Sequence, residues 1–491
     1  MTTKLRRNRP FRYPLARTIY NQTSHPLSKI PGPRLWSVSR IPFIRALLRG
    51  TVFHDIQALH RKYGPVLRIA PDEVTFCDPS AYTDILTPRP NLPPFLKDPT
   101  WWAPFPPTQP VSIVTAVDPA SHARIRKILP PGFSSRAVRQ QEPFLHRYVD
   151  LLISRLREHS SSPKKGGGQE IDIGPWMNYT AFDIFGDLGF VESFGCLETS
   201  RYHPWIALLF GSVKAAAYGA SARYFPGFEY LLVKCMPASL KKMQDDHFQQ
   251  IVDKVQRRMN YELQRPDIMG YVIQEQDETK SLPRDEIDAT FAVLVTTGSE
   301  TTATDLLDKV TAEVRRVFSE ESDITLDRLK RLEYLNAVLN EGLRLCTPVP
   351  WILPRRVPAG GASVSGVWLP GGTRVSVQAY AINKDEKYWL KPERFLPERW
   401  LPEAATNEKS PFYRDNRQAL QAFIVGSRNC LGQNLAWAEM RLIVAKMLWN
   451  FDLDGPQEEG KKLRWEDLRT FLLVEKKPVW VRMRERMGVK G

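Results

Sequence analysis

The chain has 491 residues, 42% of them apolar and 11% aromatic, a composition that makes it globular and able to close a deep core. Its net charge is +15, and residues 1–50 hold eleven Lys or Arg and no Asp or Glu; no zinc-finger, recognition-helix or RNP-type pattern accompanies that charge, so a membrane surface or an acidic protein fits better than nucleic acid. Five scattered cysteines, with no CxxC pair and no zinc-ligand spacing, fit a reducing compartment.

The N-terminal stretch is Arg-rich without the apolar core of a secretory signal, and no run of residues approaches the length of a membrane span. Residues 25–36, "HPLSKIPGPRLW", form a stiff Pro/Gly lead into the globular part. Val66–Ile69 and Val74–Cys77 read as short strands. Residues 92–110 contain seven prolines among large aromatics and read as a loop at the edge of a pocket. From Ser121 to about Lys330 the pattern is mainly helical, broken by the flexible-looking "SSSPKKGGGQ" at 160–169. Beyond Pro348 strands and turns alternate before a last helix over about 432–449. No internal repeat and no dividing linker is present.

Chemistry concentrates near the C-terminus in "FIVGSRNCLG", which fits F-x-x-G-x-R-x-C-x-G with Phe423, Gly426, Arg428, Cys430 and Gly432. Each position has a use if Cys430 ligates a haem iron. A thiolate donates electron density that favours O–O cleavage, and the metal keeps the sulfur deprotonated. Gly426 permits a turn with positive φ, Gly432 permits close approach of backbone to the porphyrin, and the helix that follows turns its positive end toward the sulfur. Arg428 can pair with a haem propionate, and Phe423 can screen the ligand from water.

Three further motifs accompany this one: Glu341-Gly-Leu-Arg344, "FLPERW" at 395–400, and Thr297-Gly-Ser-Glu300-Thr301-Thr302. Together they make the chain resemble a cytochrome P-450, a haem-thiolate monooxygenase of the fungal microsomal secondary-metabolism type, from about Arg17 to Lys477. The resemblance implies a mainly α fold with small β-sheets, the haem lying between a long distal helix and the proximal Cys loop and helix. It also implies a basic N-terminal segment and linker over residues 1–30 and a single catalytic domain over 31–491.

The resemblance further implies that Arg399 joins Glu341 and Arg344 in a buried triad, with Arg394 the weaker occupant of that role. His122, Arg126 and Arg355 become partners of the haem propionates. Thr301 becomes the distal alcohol and Glu300 the acid of a proton relay for oxygen activation. The cofactor is haem b, the substrate a hydrophobic small molecule oxidised with dioxygen, and the electron donor an NADPH-dependent flavoprotein reductase docking on the basic proximal face. The expected location is the cytoplasmic face of the endoplasmic reticulum membrane. The substrate pocket draws on residues 92–110 and 205–220, Phe291, Val295, Val349–Ile352 and Phe471-Leu472.

The sequence departs from the family in three places. Thr297 stands where a smaller residue is usual. After Thr304 the chain passes directly to "DLLDKVTAEVRRVF", a shortfall of roughly twenty residues or ~30 Å of helix. No N-terminal anchor is found. A poorly folding remnant is therefore one alternative reading, and a haem-thiolate isomerase or dehydratase another; the Glu300-Thr301 pair speaks against the latter, since only oxygen activation needs that relay.

Overall fold

The computed structural model describes residues 9–104, 109–160, 169–225, 227–235, 237–261, 265–274, 282–297 and 307–486. Helices dominate, and those that position the site are α1 (Arg9–Thr23), α2 (Ile41–Arg49), α3 (Pro119–Ile128), α4 (Ser135–Ser160), α5 (Ile173–Phe190), α6 (Pro204–Arg223), α7 (Phe228–Lys234), α8 (Arg284–Thr297), α9 (Leu307–Val317), α10 (Glu333–Leu345) and α11 (Gln433–Asn450). The resulting architecture, mainly α with small sheets, is the expected fold class.

Periodicity explains how the helices assemble. On α4, Leu145, Val149, Leu152 and Leu156 recur at three- and four-residue spacing and are all fully buried, so one stripe faces inward. By contrast α5 is buried almost all round, which makes it a core helix rather than a surface one. Asp172 starts it by accepting the Gly174 N–H at 3.1 Å. Phe182 and Leu188 of α5, Phe291 of α8, Val310 and Val314 of α9 and Leu442 of α11 complete the main core.

The strands form three sheets. In the largest, β1 (Val66–Ala70), β2 (Glu73–Phe76), β8 (Arg374–Val377), β5 (Ile352–Arg356) and β3 (Leu96–Lys97) lie in that order. The second comprises β4 (Gln169–Asp172), β10 (Trp480–Glu485) and β9 (Phe451–Asp454), and the third is the hairpin of β6 (Ala362–Val364) and β7 (Val367–Leu369).

The 92–110 segment read as a loop contains β3 and a one-turn helix, Pro99–Trp102, and this is a correction. Asp98 caps that turn by accepting the Thr100 N–H at 3.0 Å, Pro99 supplies the preset φ of its first position, and residues 96–97 find a strand partner in 355–356. Such pairing depends on a segment remote in the chain and leaves no local periodicity.

The distal helix α8 has 14 described residues and so a length of about 21 Å. The "SSSPKKGGGQ" connection beyond Ser160, the Glu300-Thr301 pair and the site of the expected shortfall after Thr304 lie outside the described residues. On the far side of that site α9 packs on α10 and α11. Arg315 of α9 donates to the carbonyls of Leu448 (2.9 Å) and Phe451 (2.8 Å), groups that the end of α11 leaves without helical partners. Glu313 accepts the N–H groups of Tyr334 (2.9 Å) and Leu335 (2.7 Å), capping α10, whose own N-terminal residue, Leu332, offers no side-chain cap. Glu313→Ala should therefore lower stability by about 1–2 kcal/mol, read from chemical denaturation, because α10 loses its only side-chain acceptors at those two positions.

Candidate active site

The Cys430 loop is built by backbone. Ile424 and Gly426 both adopt positive φ, +61° and +84°, and the Cys430 N–H closes the turn on the Phe423 carbonyl at 2.9 Å. A Cβ on Gly426 would lie 2.1 Å from the Leu86 carbonyl oxygen, so only glycine fits there. No such crowding surrounds Gly432, which caps α11. Cys430 itself is exposed. Although the residue reaches solvent, the protein packed around its sulfur pushes the thiol pKa up by partial desolvation, while the Gly432 N–H and the Arg126 guanidinium pull it down. Phe423 stacks beside Trp437 with ring centroids 6.1 Å apart.

Around this loop lies a group of cations that, among the described residues, form no ion pair with an acid; Asp118 acts on Arg428 without pairing to it. Strand pairing sets Lys97 directly opposite Arg355, an arrangement that is repulsive on its own. Burial, then Arg355 and Arg428, drives the Lys97 pKa well below its usual value; burial, then Arg428, lowers Arg355 to about 9. One Arg355 nitrogen, Nη1, is buried with no hydrogen-bond partner. Both side chains lie over the Trp102 ring, at 4.3 Å for the Lys97 ammonium and 5.4 Å for the Arg355 guanidinium. His122 is buried one turn from Arg126 on α3, which Asp118 caps. Its pKa falls to about 3 through burial, then Arg428, Lys97, Arg126 and Arg355, so it is uncharged at neutral pH.

These groups converge, and they spend their hydrogen bonds on backbone. Lys97 donates to the Val114 carbonyl and Arg428 to the Ala116 carbonyl (2.8 Å). Arg126 reaches the Cys loop itself, donating to the Asn429 carbonyl and to Asn429 Oδ1 at 2.7 Å each. A buried cation group with an orphaned guanidinium nitrogen, beside an exposed cysteine, suits a ligand that carries two carboxylates and needs a thiolate. A haem has both requirements, and the residues present fit it.

The third cluster lies behind the loop. Glu341, Arg344 and Arg399 meet with no solvent exposure. Glu341 accepts from Arg344 Nε (2.9 Å) and Nη2 (2.7 Å), Arg399 Nε (3.1 Å), the Leu396 N–H (2.9 Å) and Trp400 Nε1 (2.9 Å). Arg344 Nη1 also holds the Asn383 and Pro392 carbonyls at 2.6 and 2.7 Å. Asp415, which the sequence reading passed over, binds Arg399 and brings the cluster to two acids and two bases. Arg394 contributes only its backbone carbonyl to Arg344; its side chain is exposed.

Among the expected pocket segments, Trp101, Ala217, Ala220, Trp351 and Phe471 share one apolar cluster with Phe43. Phe291 instead packs on Phe190 in the main core, 5.7 Å between centroids. Two residues near the site were missed in the sequence: Lys97, whose importance appears only with the β3–β5 register, and Glu439 on α11. Glu439 sits on the helix face opposite Trp437 and has no hydrogen-bond partner among the described residues. Burial alone raises its pKa to about 8.

Comparison with known proteins agrees with this arrangement. A family profile described as Cytochrome P450 matches residues 30–481. The chain is 38% identical to the cytochrome P450 monooxygenase astJ of Aspergillus oryzae, covering 97% of this chain and 96% of that protein. It is also 38% identical to an averantin hydroxylase of Dothistroma septosporum (96% and 89% covered) and 37% identical to an averantin hydroxylase of Aspergillus parasiticus (96% and 95%).

Glu439 gives a pH signature. The folded chain keeps its proton up to about 8, whereas the unfolded chain releases it near the ordinary 4.5, so the unfolded state binds fewer protons between these values and stability declines as pH rises through that window. Glu439→Gln removes this contribution. The stability difference between variant and parent, measured by chemical denaturation at pH 5 and pH 8, should move in favour of the variant at the higher pH. A pH-independent difference would show that the carboxyl is already ionised in the fold.

Proposed function

The chain belongs to the cytochrome P450 family, and from that premise we propose that Cys430 is the haem ligand of a monooxygenase that oxidises a hydrophobic, polyketide- or terpenoid-like small molecule in secondary metabolism. Members of the family are haem-thiolate oxidoreductases that act on small molecules with dioxygen. The observation that carries the assignment is the accessible Cys430 at the foot of α11, near Lys97 and Arg355, two buried cations that form no ion pair among the described residues. Haem b is the cofactor that two-carboxylate recognition by Lys97, Arg355, Arg428, His122 and Arg126 suits. When bound through a cysteine thiolate, haem supplies oxygen activation by O–O cleavage.

The residues of this chain have separable tasks in the proposal. Phe423, its ring against Trp437, excludes water from the thiolate. The Gly432 N–H and Arg126 stabilise negative charge on Sγ. The neutral cluster of Glu341, Arg344, Arg399 and Asp415 fixes the segment from 390 to 415 that lies behind the Cys loop. Glu300 and Thr301 deliver protons on the distal side; both lie outside the described residues. Residues 31–491 act as one catalytic unit.

Electrons come from NADPH through an acidic flavoprotein reductase. A surface groove whose lining includes Lys330, Arg331, Arg441, Glu333 and Trp437 opens on the side of α11 that carries Phe423's partner ring, and its excess of three bases over one acid suits such a donor. Attachment to the cytoplasmic face of the endoplasmic reticulum membrane is supported by the apolar surface of α7, where Phe228, Tyr230 and Leu231 are at least half exposed, and by exposed Leu15 and Ile19 on α1. Among the described residues no helix is long and apolar enough to cross a membrane.

One measurement decides between the enzyme and the remnant. The purified 491-residue chain, loaded with haem, should give the reduced carbon-monoxide band of a thiolate ligand, and Cys430→Ala should abolish it. An insoluble chain, or one that takes up no haem, would establish the remnant. The isomerase reading is separated by the relay: Thr301→Ala should still bind haem and substrate but divert NADPH electrons to peroxide, whereas turnover without NADPH would point to isomerisation or dehydration.

A further inference from the structure

Two of the cations near Cys430, Lys97 and Arg428, are held by one short turn, and that turn is fastened to the distal helix. Residues 112–116 close on themselves: the Ser112 N–H donates to Thr115 Oγ1 (2.8 Å), the Thr115 N–H to Ser112 Oγ (3.2 Å), and the Ala116 N–H to the Ser112 carbonyl (2.9 Å). Two carbonyls point out of it. Val114 receives Lys97, from β3, and Ala116 receives Arg428, two residues before Cys430. The remaining link is the Ile113 N–H, which donates to Thr290 Oγ1 at 3.2 Å. Thr290 lies in the middle of α8 and is fully buried. Distal helix, β3 and Cys loop therefore meet through five residues of main chain.

We propose that Thr290 is a positioning residue for the haem cradle, fixing the turn 112–116 and through it the placement of Lys97 and Arg428 relative to Cys430. The reasoning is geometric. Neither Lys97 nor Arg428 forms an ion pair among the described residues, so the carbonyl each donates to is its hydrogen-bonded anchor, beside the Trp102 face under Lys97, and here both carbonyls belong to a turn of five residues. Ile113 is the one residue of that turn whose backbone is hydrogen-bonded to a different helix through a buried side chain. Without the Thr290 acceptor a buried N–H loses its partner, and the turn can relax away from α8. The inference rests on the reading of Cys430 and its cations as a haem site, and adds to it the residue that aligns the two.

Thr290→Val keeps the shape and removes the acceptor; Thr290→Ser restores it. Two readouts separate the inference from the reading beneath it. In the absence of haem, amide hydrogen exchange at Ile113 should be faster in Thr290→Val and return to the parent rate in Thr290→Ser. In the haem-loaded protein, transfer of haem to apomyoglobin should be up to about tenfold faster in Thr290→Val, the equivalent of about 1.4 kcal/mol. The propionate bending band in resonance Raman should shift with it, and serine should reverse both. Ser112→Ala, which opens the same turn from its other end, should reproduce the loss if the valine variant folds poorly. Unchanged Ile113 exchange, or parent-like haem transfer and Raman spectra in Thr290→Val, would overturn the proposal. A parent protein that takes up no thiolate-ligated haem would instead count against the haem reading, with the exchange result still deciding the link between Thr290 and the turn.

Discussion

Buried positive charge without a counter-charge is the constraint around which the rest is arranged. Lys97 and Arg355 face each other across a strand pair, Arg428 stands beside them, and among the described residues none of the three forms an ion pair with a carboxylate, Asp118 acting on Arg428 only at longer range. Desolvation and mutual repulsion both disfavour this state, as the lowered pKa values express. A fold that keeps it must either hold the cations by other means or acquire an anion. Main-chain carbonyls and the Trp102 face do the holding, and an acidic ligand would relieve the remainder.

The cluster on the other side of the Cys loop obeys the opposite rule. Glu341, Arg344 and Arg399 have no exposure and Asp415 very little, yet the four cancel in charge and satisfy one another. Such a set gives little net stability against an apolar alternative, but removal of one member strands the rest. Its use is to fix direction: four chain segments meet there at defined distances, so the loop that carries Cys430 rests on a support that cannot slide. One cluster is charge-balanced as the chain stands, whereas the other holds cations that form no ion pair among the described residues.

How much of this could be read in the sequence follows from whether the cause is local. The Cys430 loop was legible because Phe423, Gly426, Arg428 and Gly432 act within a single turn, where spacing is geometry. Arg399 was assigned to the triad only through family resemblance, and Asp415 escaped altogether, since nothing about an aspartate in "FYRDNR" signals a partner. Lys97 was invisible for a further reason: its role is created by a strand register with Arg355, and two-residue strands have no period to detect. The helical class was plain from the mainly helical pattern between Ser121 and about Lys330, whereas the strand order β1-β2-β8-β5-β3 depends on crossovers that no window of sequence contains. Glu439 illustrates a last kind of blindness, because a glutamate in a helix looks the same whether it meets solvent or core.

The turn at 112–116 engages Lys97 and Arg428 through carbonyl oxygens, not side chains. Carbonyls are common to every residue, so the identities of Val114 and Ala116 are free of that duty. Val114 is half-buried and Ala116 fully buried, both against neighbours that include the main core. Exchanging one apolar side chain for another there would change the packing against the core while leaving the clamp on the cations untouched. Lineages descended from a common ancestor could thus diverge in what they accept at these two positions without re-evolving their hold on the prosthetic group.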